Sequence, residues 1–210
     1  MGSILMKKID WKIVVLTSIV SLLPIILGLA LYSQLPATIA IHFNLNNQPN
    51  NYTTKPIFVF GFPIGMTLFQ IIVCVISDLG NKRPISKGLM ATFKSVIPFL
   101  SVLLYIVTVL FALGVPVDIR RIVMLLLGLF ALLLGIFIPN NMTDINVRKD
   151  AKVRALMRAY RLMGVAMMIG GLLMVLSILM IPIYSGISIG IFIILVLLSQ
   201  FQIWQLQKRK

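Results

Sequence analysis

The side chains best suited to chemistry are few and gather in one stretch. His42, the only histidine, lies in the run Leu35-Pro36-Ala37-Thr38-Ile39-Ala40-Ile41-His42-Phe43-Asn44, and Asn50, Tyr52 and Lys55 follow shortly after. An imidazole, two amides, a phenol and an ammonium can hydrogen-bond a polar or peptide ligand. They do not form a catalytic set. No serine stands in a nucleophile-elbow context beside a base, and no glycine-rich phosphate loop is present. The chain contains no glutamate, and its aspartates (Asp10, Asp78, Asp118, Asp144 and Asp150) fall at the ends of apolar runs or between them. One histidine and one cysteine, Cys74, cannot supply a zinc site or a disulfide on their own. This inventory predicts binding rather than turnover: no enzyme, no metal, no cofactor.

A second group is basic. Arg154, Arg158 and Arg161 recur at i, i+4 and i+7 and so share one helical face. That face could lie on anionic lipid headgroups or recruit a cytoplasmic partner. The ordinary reading, favoured over a partner-binding role, is a positive-inside loop that extends the following span. Gln70 and Thr67 in the second apolar run, and Ser101, Tyr105 and Thr108 in the third, form mildly polar stripes whose ordinary use is interhelical hydrogen bonding.

The elements that must position these residues follow from composition. Of 210 residues, 60% are hydrophobic and 11% are charged, which is far too apolar a surface for water. Uncharged stretches at approximately 13–33, 57–77, 95–115, 122–138, 162–181 and 187–206 each approach the ~20 residues that cross a bilayer, and the bilayer forces each to be a helix. With these boundaries no acid, histidine or lysine lies inside a span, which argues against ion-coupled transport. The formal net charge of +14 reads as the positive-inside bias and not as direct nucleic-acid binding. Sixteen of the 19 basic residues fall at the N-terminus, after the second span, after the fourth and at the C-terminus, leaving Lys55, Arg120 and Arg121 on the other side. Both termini are therefore expected in the cytoplasm. The first run is too long for the apolar core of a cleavable signal and reads as a retained anchor, kinked by Pro24.

The expected architecture is an all-α integral membrane protein of the cell membrane, multi-pass, with six transmembrane helices and a small extracellular strand-containing cap between helices 1 and 2. Residues 1–80 hold the first two spans and the cap (34–56). Residues 81–210 hold a four-helix membrane domain with a basic cytoplasmic connection at 139–161. Within the cap, Ile39, Ile41 and Phe43 alternate with Thr38, Ala40, His42 and Asn44, as in a half-buried strand, and the turn-rich Asn46-Asn47-Gln48-Pro49-Asn50-Asn51 follows. Gly61/Gly65 and Gly186/Gly190 have the spacing of close helix–helix contacts.

The pattern Leu35-Pro36, Ile39, His42-Phe43-Asn44, Asn50, Tyr52 and Lys55 between the first two spans resembles the outer domain of the SdpI-type bacterial immunity proteins. Ala40 stands where that family usually has a second proline. Asn47 stands near its usual glycine and can still adopt a left-handed turn. The family's usual Arg-Thr-Pro-Trp-Thr-like stretch is missing from Asp144-Ile145-Asn146-Val147-Arg148, which makes the chain a divergent relative. The resemblance implies a resistance protein that protects a cell from a secreted peptide toxin by binding it. It also implies signalling by holding a transcriptional repressor at the membrane. Pro36, Ile39, His42, Phe43, Asn44, Asn50, Tyr52 and Lys55 are then the candidate peptide-binding or cap-structuring residues. The alternative is a facilitated transporter of small molecules or peptides.

Overall fold

The computed structural model describes residues 9–80, 87–140 and 151–208. Among them six helices are long and apolar enough to cross a membrane: Trp11–Ala30, Ile57–Leu79, Met90–Ala112, Ile119–Phe137, Arg154–Ser177 and Ile183–Leu206. A two-stranded sheet lies between the first and the second. The chain is thus a multi-pass all-α membrane protein with a small strand-containing element after its first span. It divides into two compact units, 1–44 with 49–117, and 45–48 with 118–210. The sequence grouped the third span with the last three. In the structure it packs with the first two.

In the first unit, Asp10 starts α1 (Trp11–Leu22) by accepting from the Ile13 N–H at 3.3 Å. The helix breaks at Leu23, because Pro24 has no N–H to give and its ring crowds the preceding turn. α2 (Pro24–Ala30) then completes the span. Val14, Thr17, Ser21, Pro24 and Gly28 are buried at spacings of three and four residues, so one face of the broken helix looks inward throughout. The second span opens with a π-helical segment, Ile57–Gly61, in which the Phe62 N–H reaches the Ile57 carbonyl. This wide turn precedes Pro63, which could not continue an α-helical ladder. α3 (Phe62–Gly80) and α4 (Lys87–Ala112) follow, the latter with Pro98 inside it.

The hairpin joins β1 (Thr38–Phe43) to β2 (Pro49–Thr54), antiparallel. Thr38 faces Thr54, Ile39 faces Thr53, Ala40 faces Tyr52, His42 faces Asn51 and Phe43 faces Pro49. The register slips between Ala40 and His42 and again between His42 and Phe43, as at a β-bulge. Strict alternation therefore fails at Ile41: it is 47% exposed, whereas Ile39 is 1% exposed. Ile39 packs with Leu35, Phe58, Val59, Tyr105 and Val109, and burying a side chain of this size contributes about 1.5–3 kcal/mol. Phe58 stacks on Tyr105 at 4.6 Å between ring centres, and Phe43 meets Phe111 edge-on at 4.8 Å. The hairpin is thereby fastened to the second and third spans of its own unit.

The second unit contains α5 (Ile119–Asn140), α6 (Ala151–Ser177) and α7 (Ile183–Lys208), together with residues 45–48. Asp118 Oδ1 accepts from the Arg121 N–H at 3.0 Å, and Asn47 Oδ1 accepts from the Ile119 N–H at 2.8 Å, so two side chains cap α5. Asn47 has φ 60°, a left-handed conformation that asparagine tolerates. Asn47→Ala should cost about 1–2 kcal/mol through left-handed strain and the lost cap. Asn47→Gly should cost less, since glycine accepts that backbone. Equal losses in thermal unfolding would show that the conformation at this position is irrelevant.

Glycines set how closely α5 and α6 approach, but not the ones the sequence singled out. A Cβ on Gly65 or Gly190 would meet nothing within 4 Å, on Gly61 only its own helix's Ile57, and on Gly186 only the flexible end of Leu45. Close backbone approach belongs instead to Gly128 with Gly171 and Gly135 with Gly164. Added Cβ atoms at Gly171 and Gly135 would lie 2.6 Å from the carbonyl oxygens of Gly128 and Gly164, respectively. The two contacts lie seven residues apart on each of the antiparallel helices.

Candidate recognition surface

Within the hairpin the residues singled out by sequence divide into two groups. Ile39 and Phe43 point into the unit and anchor it. Lys55 also ties the segment down: its Nζ donates to the Tyr32 carbonyl at 3.0 Å and sits 4.9 Å from the centre of the Tyr32 ring, while its N–H bonds Ala37 O at 2.9 Å. An ammonium so placed gains a charge-assisted hydrogen bond and a cation–π contact. His42, Asn50 and Tyr52 are exposed. His42 Nδ1 lies 2.6 Å from Asn50 Oδ1. With that oxygen as acceptor, the neutral ring carries its hydrogen on Nδ1 and keeps Nε2 as a hydrogen-bond acceptor. The Tyr52 N–H is taken by Asn51 Oδ1 at 2.8 Å, and the phenol side chain is 54% exposed. Pro36 is exposed beside buried Leu35, and Asn44 follows β1 half-buried. The bulge makes a local platform on which Ile39 and Phe43 pack inward while His42, Asn50, Tyr52 and the apolar Ile41 stay exposed.

Arg154, Arg158 and Arg161 are exposed on one face at the start of α6, which runs without interruption into the fifth span. The basic run is therefore an extension of that helix. The helix expected from Asp144 falls partly in 141–150, outside the described residues.

The expectation about charge within the spans is overturned. Spans free of acids and lysines were predicted, yet Asp78 lies in the second span and Lys94 in the third. Lys94 Nζ donates to Asp78 Oδ1 at 2.7 Å, with side-chain exposures of 1% and 11%. Asp78 Oδ2 also accepts from the Asp10 N–H at 3.0 Å, so one carboxylate joins the ends of three helices. The helices extend past the uncharged stretches because the charges neutralise each other there. Pro98 adds a further tie. Lacking an N–H, it leaves the Lys94 carbonyl without its helical donor, and Gln70 Nε2 fills that role at 2.5 Å. The interhelical hydrogen bond expected of Gln70 is this one. Charge counting assigned Lys94 to a loop. The available signal was opposite charges just beyond facing ends of consecutive spans.

Residues 19–67 match a family described as a domain of unknown function (DUF1648). The match covers the later part of the first span, the whole hairpin and the beginning of the second span, the region that holds the platform. No curated protein and no solved structure matches the chain.

Proposed function

We propose that this is a bacterial immunity protein of the cell membrane, which displays the hairpin outside the cell and protects by binding a secreted peptide toxin there. The observation carrying this reading is the anchored hairpin itself. Ile39 and Phe43 are committed to the unit beneath, and His42, Asn50 and Tyr52 are exposed together with the apolar Ile41. A strand already in place lets an extended peptide add main-chain hydrogen bonds with little ordering cost, while His42 and Tyr52 supply side-chain contacts. The distribution of lysines and arginines supports cytoplasmic termini. The basic face of Arg154, Arg158 and Arg161 would then lie inside the cell, where a repressor or anionic lipid could meet it.

Expression in toxin-sensitive cells tests the reading. His42→Ala and Tyr52→Ala should each weaken protection about tenfold, the loss of one good contact of ~1.4 kcal/mol, with membrane levels unchanged. Replacing 36–55 by a flexible linker should abolish it. Protection that survives that replacement would remove the hairpin from recognition, and a hairpin shielded from impermeant reagents on intact cells would overturn the orientation.

A further inference from the structure

Arg120 and Arg121 stand apart from the sixteen basic residues that the charge pattern places together. Arg120 is nearly buried, with its side chain 8% exposed. Its Nη1–H donates to Ser185 Oγ at 2.8 Å. Its Nη2 is 3.7 Å from Asp118 Oδ2, too far for a hydrogen bond. That carboxylate is already engaged by Arg121, whose Nε lies 3.1 Å from Oδ2 and whose N–H bonds Oδ1 at 3.0 Å. Beyond Ser185 the contacts are neutral: Ser185 Oγ is 3.2 Å from Ser177 Oγ, which donates to the Met174 carbonyl at 2.7 Å. A guanidinium has five N–H donors, and one hydroxyl takes one of them. Among the described residues two arginines therefore share a single carboxylate, and the more buried of the two has the weaker hold on it. No Arg120 nitrogen is a buried donor without a partner, so the donors beyond the one that Ser185 takes open to the surface, where the excess positive charge favours an anion.

The surroundings specify which anion. The turn after α6 and the start of α7, where Ser185 lies, expose Leu179 (86%), Ile181 (65%) and Tyr184 (42%). Strongly exposed aliphatics beside a tyrosine mark the depth where hydrocarbon gives way to headgroups. The oxyanion found at that depth is phosphate, whose geometry suits the arginine fork. We propose that Arg120 and Arg121 bind the phosphate of a phospholipid headgroup, with the acyl chains lying along Leu179 and Ile181.

The full chain, purified in detergent, is titrated with dihexanoyl phosphatidylglycerol, inorganic phosphate and uncharged dihexanoylglycerol, with binding read by native mass spectrometry. The phosphatidylglycerol should bind, and Arg120→Gln should weaken it about tenfold or more, as expected for loss of a charge-assisted hydrogen bond. Ser185→Ala removes the tie between α5 and α7 but spares the guanidinium, so binding should persist. Should Arg120→Gln not fold, Arg120→Lys serves instead: it keeps the charge without the planar fork and should bind several-fold more weakly. Inorganic phosphate binding as tightly as the lipid, with the same dependence on Arg120, would overturn the lipid assignment in favour of a free-anion site. Equal binding of dihexanoylglycerol, or phosphatidylglycerol binding indifferent to Arg120, would overturn the site altogether and leave Arg120 as a structural tie.

Discussion

Asp78→Asn should destabilise the first unit by about 3–5 kcal/mol, the usual cost of leaving one member of a buried ion pair without the other. Lys94, at 1% exposure, has little access to water, and Asp78 is the acid bonded to its ammonium. Lys94→Met should cost less. It leaves a carboxylate that is 11% exposed and still accepts from the Asp10 N–H, and methionine can fill the space of the lysine stem. Combining the two substitutions should recover most of the loss, because no charge then remains buried. Unfolding in mixed micelles, read as a double-mutant cycle, measures the coupling. A double variant no more stable than Asp78→Asn alone would mean that the charge pairing is not what holds these helix ends. Gln70→Leu is a useful companion: it spares the ion pair but removes the donor to the carbonyl freed by Pro98, for about 1–3 kcal/mol.

The ion pair also shows where sequence reading stops. Long uncharged runs declare the spans because hydrocarbon leaves the backbone no other way to satisfy its hydrogen bonds, so the order of helices was legible throughout. What composition could not resolve was their ends. Lys94 reads as a cytoplasmic loop residue when charges are counted alone, and it becomes a buried residue only once a partner 16 positions earlier in the chain turns toward it. Arg120 escaped for a related reason, since its bond to Ser185 spans 65 positions.

The hairpin was legible at finer grain. A strand from Thr38 and a turn at Asn46-Asn47, with Asn47 in the left-handed conformation the sequence allows, are present, since each depends on local backbone preference, whereas Pro49, Asn50 and Asn51 of the turn-rich tract pair in β2 instead. The side assigned to Ile41 also differs, because the bulge is set by how β1 pairs with β2 and seats on the spans. Of the eight hairpin residues put forward, the sequence could not separate those that anchor, such as Ile39, Phe43 and Lys55, from those that stay exposed, such as His42, Asn50 and Tyr52. That division depends on packing against Tyr32, Phe58, Tyr105 and Phe111, all outside the hairpin.

Gly171→Ala should destabilise the second unit by about 1–3 kcal/mol, although the same exchange in an open helix is stabilising by about 0.5–1 kcal/mol. The new methyl would lie 2.6 Å from the Gly128 carbonyl oxygen and 2.9 Å from the Leu132 nitrogen, and backbone atoms cannot rotate aside as a side chain can. The helices would have to separate, giving up close packing along their whole contact, which is the main attraction between helices in lipid. Gly135→Ala should behave alike, with its methyl 2.6 Å from the Gly164 carbonyl oxygen. Gly65→Ala and Gly190→Ala, with nothing within 4 Å, should instead hold or raise stability through the helical preference of alanine. The opposite signs make the comparison decisive. If all four substitutions shift the unfolding midpoint in the same direction, seven-residue glycine spacing does not set the distance between α5 and α6. Gly128→Ala added to Gly171→Ala should cost less than the sum of the singles, because one helix displacement relieves both clashes.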